Sequence, residues 1–157
     1  MFRTLPSVAS EKVEQSKLIG AYVAKGSEAD VLPMLKNNKI GSCRVALPWF
    51  ESRSSEMLFR HWDFETTLAS GPFGILQPDD NAPIVEPDML FIPLLGFDRG
   101  LNRIGQGGGH YDRYLEGKYV AKIGISWSIQ EIDHVPAEPT DIPLDAILTQ
   151  SEWIIRE

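Results

Sequence analysis

The apolar positions of this chain fall in short, nearly continuous runs, not in one long amphipathic band. Residues 17–24 carry Leu18, Ile19, Ala21, Tyr22 and Val23, and residues 43–47, 89–95, 119–126 and 144–148 repeat the pattern. Runs of this length bounded by turn residues read as buried strands. Between the first two, Lys25-Gly26-Ser27-Glu28-Ala29-Asp30 is a turn. Asp30 is a fair N-cap for a helix over residues 31–39, with Pro33 tolerated in the first turn and Gly41 as the stop. Strand, helix and strand at this spacing predict a βαβ unit with a parallel pair.

Further along, residues 56–62 alternate weakly and are assigned as a strand, and 64–69 as a short helical turn. Residues 10–15 suit a helical turn or two, 110–118 a helix and 128–133 a short helix, while 136–143 are loop. Residues 153–155 form a tail that packs. Residues 71–87 hold four of the 11 prolines. They also carry Phe73, Ile75 and Leu76, which are too apolar to leave in water, so the segment is an ordered loop or lid. The pattern predicts an α/β domain with a mostly parallel central sheet.

The chain is 157 residues long, which fits one domain over residues 1–157. A net charge of −7 argues against nucleic acid as a partner. The single cysteine, Cys43, allows no internal disulfide; it reads as a small buried residue and fits a reducing compartment. No apolar run is long enough to cross a membrane, so the expected location is cytoplasmic.

The most informative stretch is Gly105-Gln106-Gly107-Gly108-Gly109-His110-Tyr111-Asp112-Arg113, where four of the 13 glycines fall within five residues. It lies between an apolar strand and a helix start. Backbone N–H groups freed by glycine, beside a helix N-terminus, make an anion cradle; a plain turn is the alternative. No Gly-Lys-Ser/Thr follows, so it is not a P-loop, and His110 occupies the third glycine of a dinucleotide fingerprint. What remains is a phosphate loop flanked by Arg103 and Arg113.

Other groups fall near strand ends, where open α/β sheets bind ligands. Asp112, in the first helical turn, is either a carboxylate favoured by the helix dipole or a Mg²⁺ ligand beside phosphates, with Asp145 as its second. Glu28 is a turn residue or a ligand. Tyr111, Trp127 and Phe97 are core residues or walls for a flat heteroaromatic substrate. Gln130 and Asp141 also lie at such ends. His61, His110 and His134 share no metal-ligand spacing.

The stretch Phe91-Ile92-Pro93-Leu94-Leu95-Gly96-Phe97-Asp98, followed by Arg103 through Leu115, resembles the 5-formyltetrahydrofolate cyclo-ligase (methenyltetrahydrofolate synthetase) family. Gly26-Ser27-Glu28-Ala29-Asp30, Ala46-Leu47-Pro48, Met57-Leu58-Phe59-Arg60, Gly71-Pro72-Phe73-Gly74-Ile75-Leu76-Gln77-Pro78 and Asp141-Ile142-Pro143-Leu144-Asp145 extend the likeness to residues 18–149. The resemblance implies a three-layer α/β/α fold of the ribose-isomerase and CoA-transferase type. It implies ATP- and Mg²⁺-dependent closure of 5-formyltetrahydrofolate to 5,10-methenyltetrahydrofolate, by a monomer or weak homodimer. Carried over by position, Arg103, Ile104, Gly105, Gln106, Gly107, Gly108, Gly109, His110 and Tyr111 hold ATP, with Arg103 and Tyr111 catalytic. Val23, Glu28 and residues 106–110 line the folate site, and Asp112 and Asp145 hold Mg²⁺. The chain departs from the family pattern at Gln77, Leu101, Gln106 and His110. Before the first strand it has only Arg3, Lys12 and Lys17, without the family's basic Lys/Arg-x-x-x-Arg spacing, so a folate- or nucleotide-binding relative without full activity is the second reading.

Overall fold

The structure is a computed structural model that describes residues 6–37, 44–105, 109–139 and 141–156. Cys43, Lys39, Gly41 and Gln106 to Gly108 lie outside them, so the expectations for those residues have no structural counterpart.

In chain order the elements are α1 (Ser7–Gln15), β1 (Leu18–Gly20), α2 (Leu32–Asn37), β2 (Arg44–Trp49), β3 (Leu58–Trp62), β4 (Ala69–Ser70), β5 (Leu76–Gln77), β6 (Ile84–Val85), β7 (Met89–Pro93), β8 (Gly96–Phe97), β9 (Arg103–Ile104), α3 (His110–Leu115), β10 (Ala121–Ile125), a 3₁₀ turn (Ser128–Gln130), β11 (Ala146–Leu148) and β12 (Trp153–Ile155). Eight strands form one sheet in the order β12-β11-β10-β7-β1-β2-β3-β6. The inner pairs β11·β10, β10·β7, β7·β1 and β1·β2 are parallel. The outer pairs β2·β3, β3·β6 and β11·β12 are antiparallel.

Alternation along each strand splits the core into two layers, because successive side chains of a strand point to opposite faces. Met89 and Phe91 face one way and join Val13 of α1 with Met34 and Leu35 of α2. Leu90 and Ile92 face the other way and join Leu115 of α3, Leu144 and Ile154. Helices therefore cover both faces of a mostly parallel sheet, the α/β arrangement expected from the apolar runs. The packing is tight at β1: a Cβ on Gly20 would lie 2.4 Å from Leu90 Cδ2 and 2.8 Å from Phe59 Cε1.

Several expectations need correction. Residues 64–69 form no helix; Phe64 has φ 67°, and Asp63 accepts hydrogen bonds from the Glu65 and Thr66 N–H groups, an Asx turn that competes with helix. α3 stops at Leu115, three residues early, before Gly117 at φ 73°. Only a 3₁₀ turn forms within 128–133. Residues 153–155 pack as expected, with Ile154 in the core, and do so as an edge strand paired antiparallel with β11. The 71–87 segment is ordered, as expected, and is entered by a small hairpin, β4·β5. Asp30 does hold the approach to α2, its Oδ1 accepting from the Leu32 N–H at 3.1 Å.

Candidate active site

The carboxyl ends of β7, β1 and β2 open into a cavity of about 570 Å³, well within the size range of small-molecule sites. Tyr22, Val23, Lys25 and Glu28 follow β1, while Pro48, Phe50, Arg53 and Met57 come from β2 and the turn after it. Phe73, Ile75, Leu76 and Gln77 reach in from the β4·β5 hairpin. Pro93, Arg103, Gly105 and the start of α3 (Gly109, His110, Tyr111 and Asp112) complete the lining.

Arg103 sits at the centre of the electrostatics. β8 and β9 pair as a hairpin that turns the chain back over the end of β7 and delivers this side chain inward. The hairpin is held by Asp98, 4% exposed, whose carboxylate accepts from the N–H groups of Asn102 (3.1 Å) and Val135 (2.9 Å). Burial alone would raise the Asp98 carboxyl, but these hydrogen bonds outweigh it and hold it below the usual range. The Arg103 guanidinium is 8% exposed and bonds Asp112 Oδ1 through Nη2 at 2.8 Å. Its Nε is buried with no partner among the described residues. A Cβ at position 105 would lie 3.0 Å from Arg103 Nη1, so glycine there leaves the guanidinium room. At the start of α3, Gly109 adopts φ 65°, a conformation L side chains rarely take.

Tyr111 lies between opposite charges. Burial pushes its hydroxyl well above its ordinary value, Glu28 pushes it further and Arg103 pulls it back. It is therefore a protonated donor at neutral pH, not a base. Tyr22 is pushed up likewise, by burial first and then by Tyr111, Glu28 and Asp30, and donates to the Ala29 carbonyl. Glu28 Oε1 accepts from the Lys25 N–H at 2.6 Å, which fixes the turn after β1.

An aromatic wall faces this charged group. Phe50 and Phe73 meet edge-on at 4.9 Å, and the His110 ring packs 4.8 Å from Phe50 and 5.3 Å from Phe73. Burial, then the Arg113 charge, lowers the His110 pKa. Gln77, 8% exposed, ties the hairpin to this wall: Oε1 accepts from the Phe50 N–H and Nε2 donates to the Phe50 carbonyl.

Of the residues singled out in the sequence, the structure brings Val23, Glu28, Arg103, Gly105, Gly109, His110, Tyr111 and Asp112 into one cavity. Ile104 does not line it; it is 38% exposed, and its side chain packs at Gly96. Asp145 is not with Asp112. Its N–H bonds the Lys122 carbonyl and its Oδ2 accepts from the Lys122 N–H at 2.8 Å, at the amino ends of β10 and β11. The cavity lies at the opposite, carboxyl edge. The chain segment that does approach Asp112 is at Ile142, whose N–H lies 3.5 Å from Oδ1. Phe97 is fully buried core, Trp127 Nε1 donates to the Ser27 carbonyl, and Gln130 Nε2 bonds the Leu94 and Leu95 carbonyls, so all three are structural. Lys25, Phe50, Arg53 and Met57 were missed. For Phe50 the signal was its place just past the end of β2; Arg53, in a serine-rich turn, gave none.

No group of three or more His, Cys, Asp or Glu side chains among the described residues is placed to hold a metal ion. Asp112 Oδ2, however, has no hydrogen-bond partner among them, and one carboxylate oxygen beside phosphates suits Mg²⁺. No described helix is long and apolar enough to cross a membrane. The site thus offers a carboxylate for N–H donors, a slot for a flat ring, and cations with glycine backbone for phosphates.

The profile of the 5-formyltetrahydrofolate cyclo-ligase family matches residues 6–150. The chain is 32% identical to the 5-formyltetrahydrofolate cyclo-ligase of Haemophilus influenzae, over 85% of this chain and 76% of that one. It is 30% identical to the Escherichia coli enzyme, over 90% and 84%. The structure of Aquifex aeolicus 5,10-methenyltetrahydrofolate synthetase superposes with a TM-score of 0.77 at 28% identity, covering 93% of this chain and 80% of that one. The Mycoplasma pneumoniae synthetase superposes with a TM-score of 0.63 at 27% identity, covering 91% and 88%. With this cavity at the carboxyl ends of its sheet, the chain belongs to the 5-formyltetrahydrofolate cyclo-ligase family, ATP-dependent ligases of folate metabolism.

Proposed function

We propose that the cavity described above is where this chain cyclises 5-formyltetrahydrofolate to 5,10-methenyltetrahydrofolate at the expense of ATP, and that its residues divide the work as follows. Glu28 pairs with N–H donors of the reduced pterin beside Val23. The Phe50, Phe73 and His110 rings pack on the flat part of the substrate. Arg103 and the amides of residues 105–110 hold the ATP phosphates. The observation that carries this division is the buried Arg103 Nε without a partner among the described residues, beside a glycine backbone. A buried donor left unpaired costs about 1–3 kcal/mol, which an anionic oxygen removes on binding.

The chemistry requires little of the protein beyond alignment and charge neutralisation. The formyl oxygen attacks the γ-phosphorus; its O–P bond forms as the bond to ADP breaks. The N10 lone pair then closes on the activated formyl carbon, N10 gives up its proton, and inorganic phosphate leaves with the former formyl oxygen. Arg103 offsets the charge on the transferring phosphoryl group. Tyr111, kept protonated, donates a hydrogen bond to an oxygen at the reacting centre. Asp112 Oδ2 would hold a Mg²⁺ ion on the nucleotide, which would supply further neutralisation; Asp145, bonded to the Lys122 N–H at the amino ends of β10 and β11, is given no part in it. Asp141, next in the chain to Ile142, is the acid better placed to take that part, directly or through water.

Read as one domain, residues 1–157 carry all of this, and the sequence features favour a cytoplasmic protein that binds small molecules and no nucleic acid. Formation of the methenyl chromophore, followed by absorbance with ATP, Mg²⁺ and 5-formyltetrahydrofolate, tests the proposal. Turnover above background is expected; its absence under saturating substrates rejects it.

A further inference from the structure

Among the described residues, three cations line the cavity: Arg103, Lys25 and Arg53. Arg103 is engaged by Asp112. Lys25 belongs to the turn fixed by Glu28, at the pterin pole of the site. Arg53 stands apart, on the turn after β2 and against the β4·β5 hairpin. Its Nε donates to the Pro72 carbonyl at 3.1 Å, and its guanidinium carbon lies 5.4 Å from the centre of the Phe73 ring. These contacts set the plane of the guanidinium while both terminal nitrogens keep no hydrogen-bond partner among the described residues. Such a fork, oriented in advance, suits a carboxylate taken in bidentate fashion.

The substrate has such a group. Beyond the pterin it continues through a benzoyl ring to a glutamate with two carboxylates. With the pterin at Glu28 and the ring on the Phe50–Phe73 wall, the glutamate reaches the side of the cavity where Arg53 waits. Resting on the division of the site given above, we propose that Arg53 is the specificity residue that recognises a glutamate carboxylate of the folate, and that its contact with Pro72 and Phe73 couples that recognition to the hairpin.

The test compares 5-formyltetrahydrofolate with its glutamate diamide, which has the same shape without the two charges. In the wild-type enzyme the diamide should show a KM raised by about tenfold, the size of one charge-assisted contact near solvent. Arg53→Ala should raise KM for the natural substrate by a similar factor, leave KM for the diamide and for ATP unchanged, and leave kcat nearly unchanged; Arg53→Lys should recover part of the loss. Equal KM values for both substrates in the wild type overturn the inference without any variant. So does an Arg53→Ala effect of equal size on both, which would mark a purely structural role, or one confined to ATP, which would assign the cation to phosphate. Failure of the wild type to turn over either substrate would instead sink the reading of the site, and this inference with it.

Discussion

Asp98 makes the hardest demand on the fold, because a single carboxylate holds together two segments that meet at the site. It accepts from the Asn102 N–H and from the Val135 N–H, in a position 4% exposed, with Val135 1% exposed. Asp98→Asn keeps the shape and changes one oxygen to NH₂. In either amide orientation, one of these two N–H donors then faces another donor. The loss of a charge-assisted hydrogen bond together with one stranded buried N–H amounts to about 3 kcal/mol. For a chain of this length that corresponds to a fall in Tm of about 6–12 °C. The folded-state pKa of Asp98 lies below its ordinary value. Its contribution is therefore fully present above the unfolded-state pKa near ~4 and is lost as pH falls through the folded value. Thermal unfolding of both proteins across pH should give a Tm gap that is constant from about pH 8 to 5 and narrows below ~4. A gap under about 2 °C at neutral pH, or one that widens in acid, would refute the account of how the β8·β9 hairpin is held.

Three further outcomes follow from the geometry. Asp112→Asn should lower kcat/KM about 100-fold or more and weaken activation by Mg²⁺, whereas Asp145→Asn, which loosens a half-exposed carboxylate's contacts with Lys122, should keep activity within about twofold; equal losses in titrations of activity against Mg²⁺ would contradict the separation of the two acids. Gly20→Ala places a methyl 2.4 Å from Leu90 Cδ2 and should cost about 1–3 kcal/mol by denaturant unfolding; an unchanged midpoint would mean the β1–β7 packing is looser than described. His110 has its pKa lowered by burial and by Arg113, so the wild type should lose stability relative to His110→Phe as pH falls below about 6.5; parallel stability curves from pH 7.5 down to about 5.5 would show that the ring is not desolvated.

Much of the fold was legible because buried strands announce themselves. The runs around Ile19, Phe91 and Ile123 are apolar on both faces, as a sheet covered by helices on each side requires. The central glycine stretch also drew the eye to the right part of the chain, since Gly105 and Gly109 line the cavity. What escaped the sequence was set by tertiary contact. Trp153 to Ile155 became a strand only because β11 offers it an edge, and Phe64 to Leu68 lost their helix to an Asx turn at Asp63. Asp145 was singled out by its motif, but the segment that approaches Asp112 is at Ile142, while Asp145 is tied to Lys122 at the amino ends of β10 and β11. Arg53 and Phe50 enter the cavity through the hairpin at Phe73 and Gln77, a pairing of segments that no local pattern encodes.

The contact between Arg103 and Asp112 has a consequence for how the enzyme waits. Unloaded, the cavity keeps the Arg103 charge matched by Asp112 through Nη2, while Nε waits for an acceptor. On the division of the site proposed above, a metal-bound nucleotide would bring charges of both signs and could trade partners with both side chains at once. Loading would then be an exchange and not an accumulation of charge, and the pair could close again on itself once phosphate had departed.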